Sequence, residues 1–515
     1  MNVASPAANE PLVRARFGAI VLSRPLATAL IVTALITALR VTGTVDSDVA
    51  WQLWIAGRMH AGATLYRDII EINPPLWFWM ALPVDRLATL LHLRPEAVLI
   101  TAIGGSIALS LTATDRLLRH VPGGRRLLLL CYAALILMAM PWVHVGQREQ
   151  IVLIGTFPYA ALISARHQGR TVRPLLAAII GVGAATAFAL KHYFLIVPAI
   201  LELWLIAGSG RRWRGIRPET LGIVAVGVAY GGAILLFAGD YLTKMLPLVR
   251  LAYGLTGVSG PHHLFGPFGI LGLMILIFTA TQGFWTKSAK TPLTTALLIS
   301  AFAFAGVYFL QAKGWPYHAL PLIGCSSLAL AALLVETDRY PAMSRMFAPA
   351  LLIVPIVLAF EEQTHQPLPS RDLLNAVARA PRGETVAFLT TENAIPWSVT
   401  LQSGFRYPSR YMAFWMMRAV VWNEQKPKSN PQIASFGRQI MSETVQDFEC
   451  APPRRIVVDR PRPGEQDFDI LPYFLRNPEF STLMSHYRVR SRTSFDTYEL
   501  ATPLPPPSFA CRRGI

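Results

Sequence analysis

Six groups of acidic, basic and aromatic residues, far apart in the chain, share one kind of chemistry. Asp46-Ser47-Asp48 comes first. Arg67, Asp68 and Glu71 follow, directly before Asn73-Pro74-Pro75-Leu76. Then come His144 to Glu149 with Gln147 and Arg148, and later Lys191-His192-Tyr193. Residues 239–264 offer Asp240, Lys244, Arg250, His262 and His263, and Gln311 to His318 add Lys313, Trp315 and Tyr317. A carboxylate can take the proton of an acceptor hydroxyl. Cations can bind a phosphate and stabilise the charge that develops as it leaves. Gathered at one membrane face, such residues would suit a donor carried on a lipid phosphate, its tail lying in an apolar groove.

Each group also has a plainer role. Asp46 is a helix cap or loop acid. Asp48 precedes the amphipathic stretch Val49 to Arg58 and could be its N-cap. Asp68 and Glu71 could pair with Arg67 and Arg58. Glu149 could pair with Arg148 at the start of an apolar run. Lys191 and His192 could snorkel to the interface. Lys313, Tyr317 and His318 could belong to an aromatic belt. Two adjacent histidines without a third ligand are weak evidence for a metal, and no Cys-x-x-Cys spacing occurs.

The elements that must position these residues are spanning helices. The chain has 515 residues, 53% hydrophobic and 15% charged, with a mean hydropathy of +0.41. Soluble domains carry about 25% charged residues, so a soluble enzyme and a disordered chain are both excluded. The net charge of +17 divides unevenly. Residues 1–361 hold 28 Lys+Arg against 15 Asp+Glu, and residues 362–515 hold 19 against 15. Such a bias points to charge sorting across a bilayer rather than to nucleic acid.

A spanning helix needs about 20 mostly apolar residues. Eleven runs fit: 17–39, 97–115, 127–143, 150–165, 174–190, 193–208, 219–238, 265–284, 291–310, 316–335 and 346–361. The first has no cleavage-site pattern and reads as an uncleaved anchor. A twelfth stretch, 74–92, is broken by Pro83 and Asp85-Arg86. With the N-terminus in the cytoplasm and 74–92 interfacial or re-entrant, 18 basic residues fall inside and 10 on the outer loops of the membrane part. All six polar groups then share the outer side, a coincidence the charge rule did not impose.

The expected fold is a polytopic α-helical membrane protein with about 11 spans. Interfacial helices lie in a first external loop at 40–96, and a small α/β domain follows outside the membrane. The boundary falls at 361/362. In the tail, Glu384–Thr390 and Arg455–Val458 read as strands, and Tyr487–Thr493 with Phe495–Leu500 as a hairpin. Tyr411–Trp422 and Pro431–Phe448 read as helices, Gln366 to Pro369 as a linker, and Pro503–Ile515 as a loose end. Cys450 and Cys511 lie in this polar part, where an oxidising location would let them pair. A transporter would place charges at mid-bilayer in matching halves, and no internal repeat is visible. A lipid-linked glycan polymerase or ligase would lean on a larger basic external loop than 239–264.

The segments Asp48 to Arg58, Gly62 to Asp68 with Tyr66, and Asn73 to Phe78 resemble the first external loop of GT-C superfamily membrane glycosyltransferases. These include bacterial lipid A aminoarabinose and galacturonic acid transferases and protein O-mannosyltransferases. The resemblance covers residues 1–361 in architecture and 40–80 in motif. It implies transfer of a sugar from a polyprenyl-phosphate donor to an envelope lipid, glycan or protein, outside the inner membrane, with the C-terminal part periplasmic. Asp48 matches the base that activates the acceptor, and Glu149 the second acidic position. Lys191 and His192 match a basic pair that meets the donor phosphate. Lys313, Tyr317 and His318 fall where a late external loop reaches the same cavity. Many relatives have two adjacent acids where this chain has Asp48-Val49, with Asp46 two residues earlier. The supply of Lys, Arg and His favours no metal, although relatives using diphosphate donors need a divalent cation.

Overall fold

The computed structural model describes residues 24–210, 213–253, 266–285, 292–337, 342–365, 370–378, 380–460 and 468–511. Arg14, Arg16, His262, His263, Lys287, Lys290 and the Gln366–Pro369 linker lie outside them. The helices are α1 (Pro25–Arg40), α2 (Ser47–His60), α3 (Leu76–Leu91), α4 (Pro95–Leu117) and α5 (Gly123–Ala134). Then follow α6 (Arg148–His167), α7 (Pro174–Phe188), α8 (Ile196–Ser209), α9 (Pro218–Phe237) and α10 (Leu246–Tyr253). The membrane part closes with α11 (Pro267–Trp285), α12 (Pro292–Gln311), α13 (Pro316–Glu336) and α14 (Ala342–His365). Where they are described, the eleven apolar runs are largely helical, α5 being extended by a π turn at Leu135–Ala139. Among the described residues, six helices are long and apolar enough to cross a membrane, and three further apolar helices are shorter. The stretch 74–92 is one continuous helix, α3, through Pro83.

The chain divides into two compact units. One comprises residues 1–44, 97–230 and 259–365. The other comprises residues 45–96, 231–258 and 366–515. The tail boundary expected at 361/362 falls beside the break at 365/366, and the first external loop groups with the tail.

In the first unit α13 is the central helix. Nearly all of it is buried, and it packs on α12, α11 and α6. Its small residues permit this. A Cβ on Gly324 would come within 2.3 Å of the Leu153 side chain on α6. By contrast α9 exposes Leu221, Val224, Val228, Leu235 and Phe237, an apolar face suited to lipid. A Cβ on Gly181 would meet the Glu219 backbone at 2.4 Å, so α7 and α9 cross closely there.

The second unit is built on a four-stranded sheet. Its strands are β1 (Val386–Leu389), β2 (Arg455–Asp459), β3 (Tyr487–Arg492) and β4 (Phe495–Leu500), in the order β1-β2-β4-β3. β1 and β2 are parallel, their buried residues apolar apart from Arg455, and β4 is antiparallel to β2 and β3. Helices α15 (Met417–Glu424) and α16 (Pro431–Cys450) pack against it, together with short helices. Cys450 and Cys511 form a disulfide.

Two local expectations are corrected. The helix expected from Tyr411 starts at Met417, because Tyr411 instead bridges to Ile70 and the Arg410 carbonyl accepts from Ile70 N. The N-cap of α2 is Asp46 and not Asp48. The Asp46 backbone is extended and its carboxylate accepts from Val49 N at 2.9 Å, which satisfies one of the open donors of the first turn.

Candidate functional site

In the first unit, two helix starts and one bend bring charged residues together. Glu149 is in the first turn of α6, where its charge suits the helix dipole. The turn before it is held by Gln150, whose side chain accepts from Gly146 N and donates to Leu137 O. Lys191 stands in extended conformation between α7 and a 3-10 turn at His192–Leu195. His318 is in the first turn of α13, just after Lys313 and Trp315.

Lys191 Nζ lies 2.5 Å from Glu149 Oε1 and 3.4 Å from Gln311 Oε1. Tyr193 donates its hydroxyl to the same Gln311 oxygen at 2.7 Å. His318 Nε2 is 3.8 Å from Glu149 Oε1. Glu149 is wholly buried, and Arg148, Lys191, His144 and His318 are also buried. Glu149 Oε2 nevertheless has no hydrogen-bond partner. The His318 ring touches Tyr317 and Trp315, and Lys313 Nζ stands 4.7 Å over the Trp315 ring. Ala312 and Gly314, both at positive φ, flank Lys313 in this loop. Non-glycine backbone in that region is strained, and such strain concentrates at functional sites. A buried carboxylate among lysine, arginine and histidine can hold cations in place to receive an anion. His192 is exposed, beside the Tyr193 ring and outside this cluster.

The second unit holds the other expected residues. With Asp46 used as a cap, Asp48 stands half-buried in the first turn of α2. Glu71 pairs with neither Arg58 nor Arg67. Its buried carboxylate accepts from Trp51 Nε1 at 2.6 Å and from Asn73 N and Nδ2 at 2.8 and 2.7 Å. These bonds tie α2 to the Asn73-Pro74-Pro75 turn. Asp68 accepts from Thr64 N at 2.7 Å within its loop. Tyr66, at positive φ, donates its hydroxyl to Asn73 O. Arg67 binds Asp240, whose carboxyl that hydrogen bond holds below its ordinary value. Trp51 and Trp54 pack with Trp397 and Tyr407 of the tail, and Arg58 lies 5.0 Å over the Trp54 ring.

Sequence reasoning did not assign Gln311 and Tyr193, although both stand in the groups it singled out. Uncharged side chains in an interfacial loop give no distinctive signal of their own. Among the described residues no group of three or more His, Cys, Asp or Glu could hold a metal ion.

No family model matches the sequence, and no curated protein matches it either. Solved structures do. ArnT from Cupriavidus metallidurans bound to undecaprenyl phosphate is similar at 12% identity and a TM-score of 0.53, over 95% of this chain and 99% of that one. AftD, the arabinofuranosyltransferase from Mycobacteria, matches at 12% identity and a TM-score of 0.47, over 93% of this chain and 40% of that one. The oligosaccharyltransferase AglB from Archaeoglobus fulgidus, in complex with an inhibitory peptide and a dolichol-phosphate, matches at 11% identity and 0.43, over 86% and 70%. The last two likenesses are too loose to bear on the fold. The first, spanning both chains almost end to end, shows that this chain shares the fold of that structure.

Proposed function

We propose that this protein transfers a sugar from a polyprenyl-phosphate donor to an envelope lipid, glycan or protein at the outer face of the inner membrane. The observation that carries the reading is the buried Glu149–Lys191 pair, with one carboxylate oxygen unpartnered and Gln311, Tyr193 and His318 around it. The fold likeness to an enzyme bound to undecaprenyl phosphate supports the donor class. Eleven crossings, a cytoplasmic N-terminus and a periplasmic tail complete the proposal.

The reaction is a direct displacement with inversion. The acceptor oxygen bonds to the anomeric carbon as the bond from that carbon to the phosphate oxygen breaks. The electron pair leaves with the phosphate, and Asp48 takes the acceptor proton. Asp48 is preferred to Asp46 because the Asp46 carboxylate already caps α2. Lys191 and Arg148, with Lys313, take up the charge of the departing phosphate. Glu149 holds Lys191 in place. Tyr317 and His318 stand with Glu149 and His144 in the first unit, and the α3 segment Trp77–Trp79 takes the lipid tail. Glu71 and Asp68 shape the loop that carries Asp48. The scheme routes no step through a metal.

The test compares envelope glycans and glycolipids by mass spectrometry in parent, deletion and Asp48→Asn strains, the variant expressed at parental level. Loss of one sugar mass from the same molecule in both mutants supports transfer and names sugar and acceptor. A change in the deletion alone removes Asp48 as the base and favours a transporter. An unchanged profile in both refutes the proposal.

A further inference from the structure

Helix α2 carries a fully buried polar side chain, Gln52, that the scheme above leaves unused. Gln52 lies one turn beyond Asp48, and residues four apart on a helix are neighbours on one face. Its side chain is 1% exposed, and its carbonyl oxygen has no hydrogen-bond partner. Buried amides are nearly always satisfied, and an exception marks a bound water, an ion or a ligand group. The surrounding polar groups make the exception informative. Asp46 is bonded to Val49 N, Trp51 Nε1 to Glu71, and Glu71 also to Asn73. These groups are thus bonded within the loop, whereas Arg58 Nε at the far end of α2 and the Gln52 oxygen beside the candidate base are open. Helix geometry places the Cβ atoms of Asp48 and Gln52 about 5–6 Å apart. This separation is short enough for one sugar ring to touch both.

We infer that Gln52 is a sugar-recognition residue whose side-chain carbonyl accepts a hydrogen bond from a ring hydroxyl of the donor or of a glycan acceptor. The inference rests on the transfer reaction proposed above, with Asp48 at its centre. Sites built to hydrogen-bond a hydroxyl discriminate strongly against substrates lacking it, because the buried partner is then left unpaired. Gln52 thus sets which sugar is accepted, while Asp48 sets whether transfer occurs.

The test uses the full chain, purified in detergent as parent, Gln52→Met and Asp48→Asn, with the donor and acceptor named by the envelope comparison. Methionine keeps the length of the side chain and removes the polar atoms. Gln52→Met should raise one KM at least tenfold, with an unchanged or higher apparent Tm, since a buried atom without a partner is removed. A raised donor KM places the hydroxyl on the donor, and a raised acceptor KM places it on the acceptor. The parental penalty for a substrate deoxygenated at that hydroxyl should vanish in Gln52→Met. Parental kinetics in Gln52→Met, as a trapped water would give, overturns the inference. So does a Tm lowered by several degrees, which would mean that the amide is bonded within the protein. If Asp48→Asn abolishes turnover while Gln52→Met is normal, only the Gln52 inference falls. If Asp48→Asn turns over normally while Gln52→Met loses affinity, the base assignment falls and the recognition role stands.

Discussion

Glu149 and Glu219 are both wholly buried, both in the first unit, and both in the first turn of a helix. Their surroundings differ. Glu219 receives Arg166 through two nitrogens at 2.9 and 3.0 Å and Arg217 Nε at 3.0 Å. Arg217 also binds Glu202 at 2.6 Å, and Trp213 donates to the other Glu202 oxygen. This network closes on itself and ties α6, α8 and α9 where α7 and α9 cross. Glu149 has one lysine, a histidine at 3.8 Å and an oxygen left open. Burial and charge are the same in the two places, so neither identifies a site. The completeness of hydrogen bonding separates them: a satisfied network fixes helices, and a partly satisfied one leaves a polar group for a ligand.

The largest expected effect is at Lys191. Lys191→Met should lower sugar transfer about 100-fold or more, the scale of losing one charge-stabilising group. It also strands the Glu149 charge, so Lys191→Met with Glu149→Gln is the sharper variant. That pair should recover stability without recovering transfer, measured as turnover per folded molecule. Full turnover in the double variant would break the comparison and make Glu149 a second structural acid.

Arg166→Met comes next. Removing one partner of a buried ion pair costs about 3–5 kcal/mol, and Arg217 remains, so a loss near 3 kcal/mol is expected. Transfer per folded molecule should stay at the parental level. A selective loss of turnover would place the Glu219 network in the reaction after all.

Asp447 in the tail extends the comparison with a milder case. Arg410 holds it through Nε at 3.0 Å, Nη2 at 2.7 Å and its backbone N at 2.9 Å. Burial outweighs these contacts and pushes the Asp447 carboxyl up. A carboxyl with a raised native pKa binds its proton better folded than unfolded. Its contribution to stability is therefore full below about pH 4 and is lost as pH rises through the native value. Asp447→Asn should cost only about 1 kcal/mol and flatten that slope in unfolding curves of the full chain from pH 4 to 8. An unchanged slope would assign the pH dependence elsewhere.

The smallest effect belongs to Asp240, bound by the exposed Arg67. Its lowered carboxyl gives stability present above about pH 4 and lost as pH falls through the native value. Exposed pairs are screened, so Asp240→Asn should leave Tm unchanged at physiological salt.

The helices were legible because hydrophobicity is additive along a short window. Where they are described, the eleven apolar runs are largely helical, and the hairpin at Phe495 lies where its alternation put it. Short tail helices such as Ile470–Phe474 and Pro478–Met484 were not legible, since a turn or two carries too little periodicity. Charge partners were read least well. Glu149 takes Lys191 rather than the adjacent Arg148, Glu71 takes Trp51 and Asn73, and Arg67 reaches Asp240, 173 residues away. Glu202, an acid within the apolar run 193–208, pairs with Arg217 and accepts from Trp213. Sequence neighbours are the natural guess for an ion pair, but packing brings distant residues closer than the chain does.

By itself the sequence determined that this is a polytopic helical membrane protein, which residues are apolar enough to span, and which polar residues are unusual enough to matter. Those properties depend on composition within a window and on the cost of placing charge near hydrocarbon. Only the tertiary structure decided which of those polar residues are already satisfied. Asp46 became a cap and Glu71 a loop tie, while Glu149 and Gln52 kept an open oxygen. A hydrogen bond requires two groups at one place and orientation, and that is set by the packing of elements far apart in the chain.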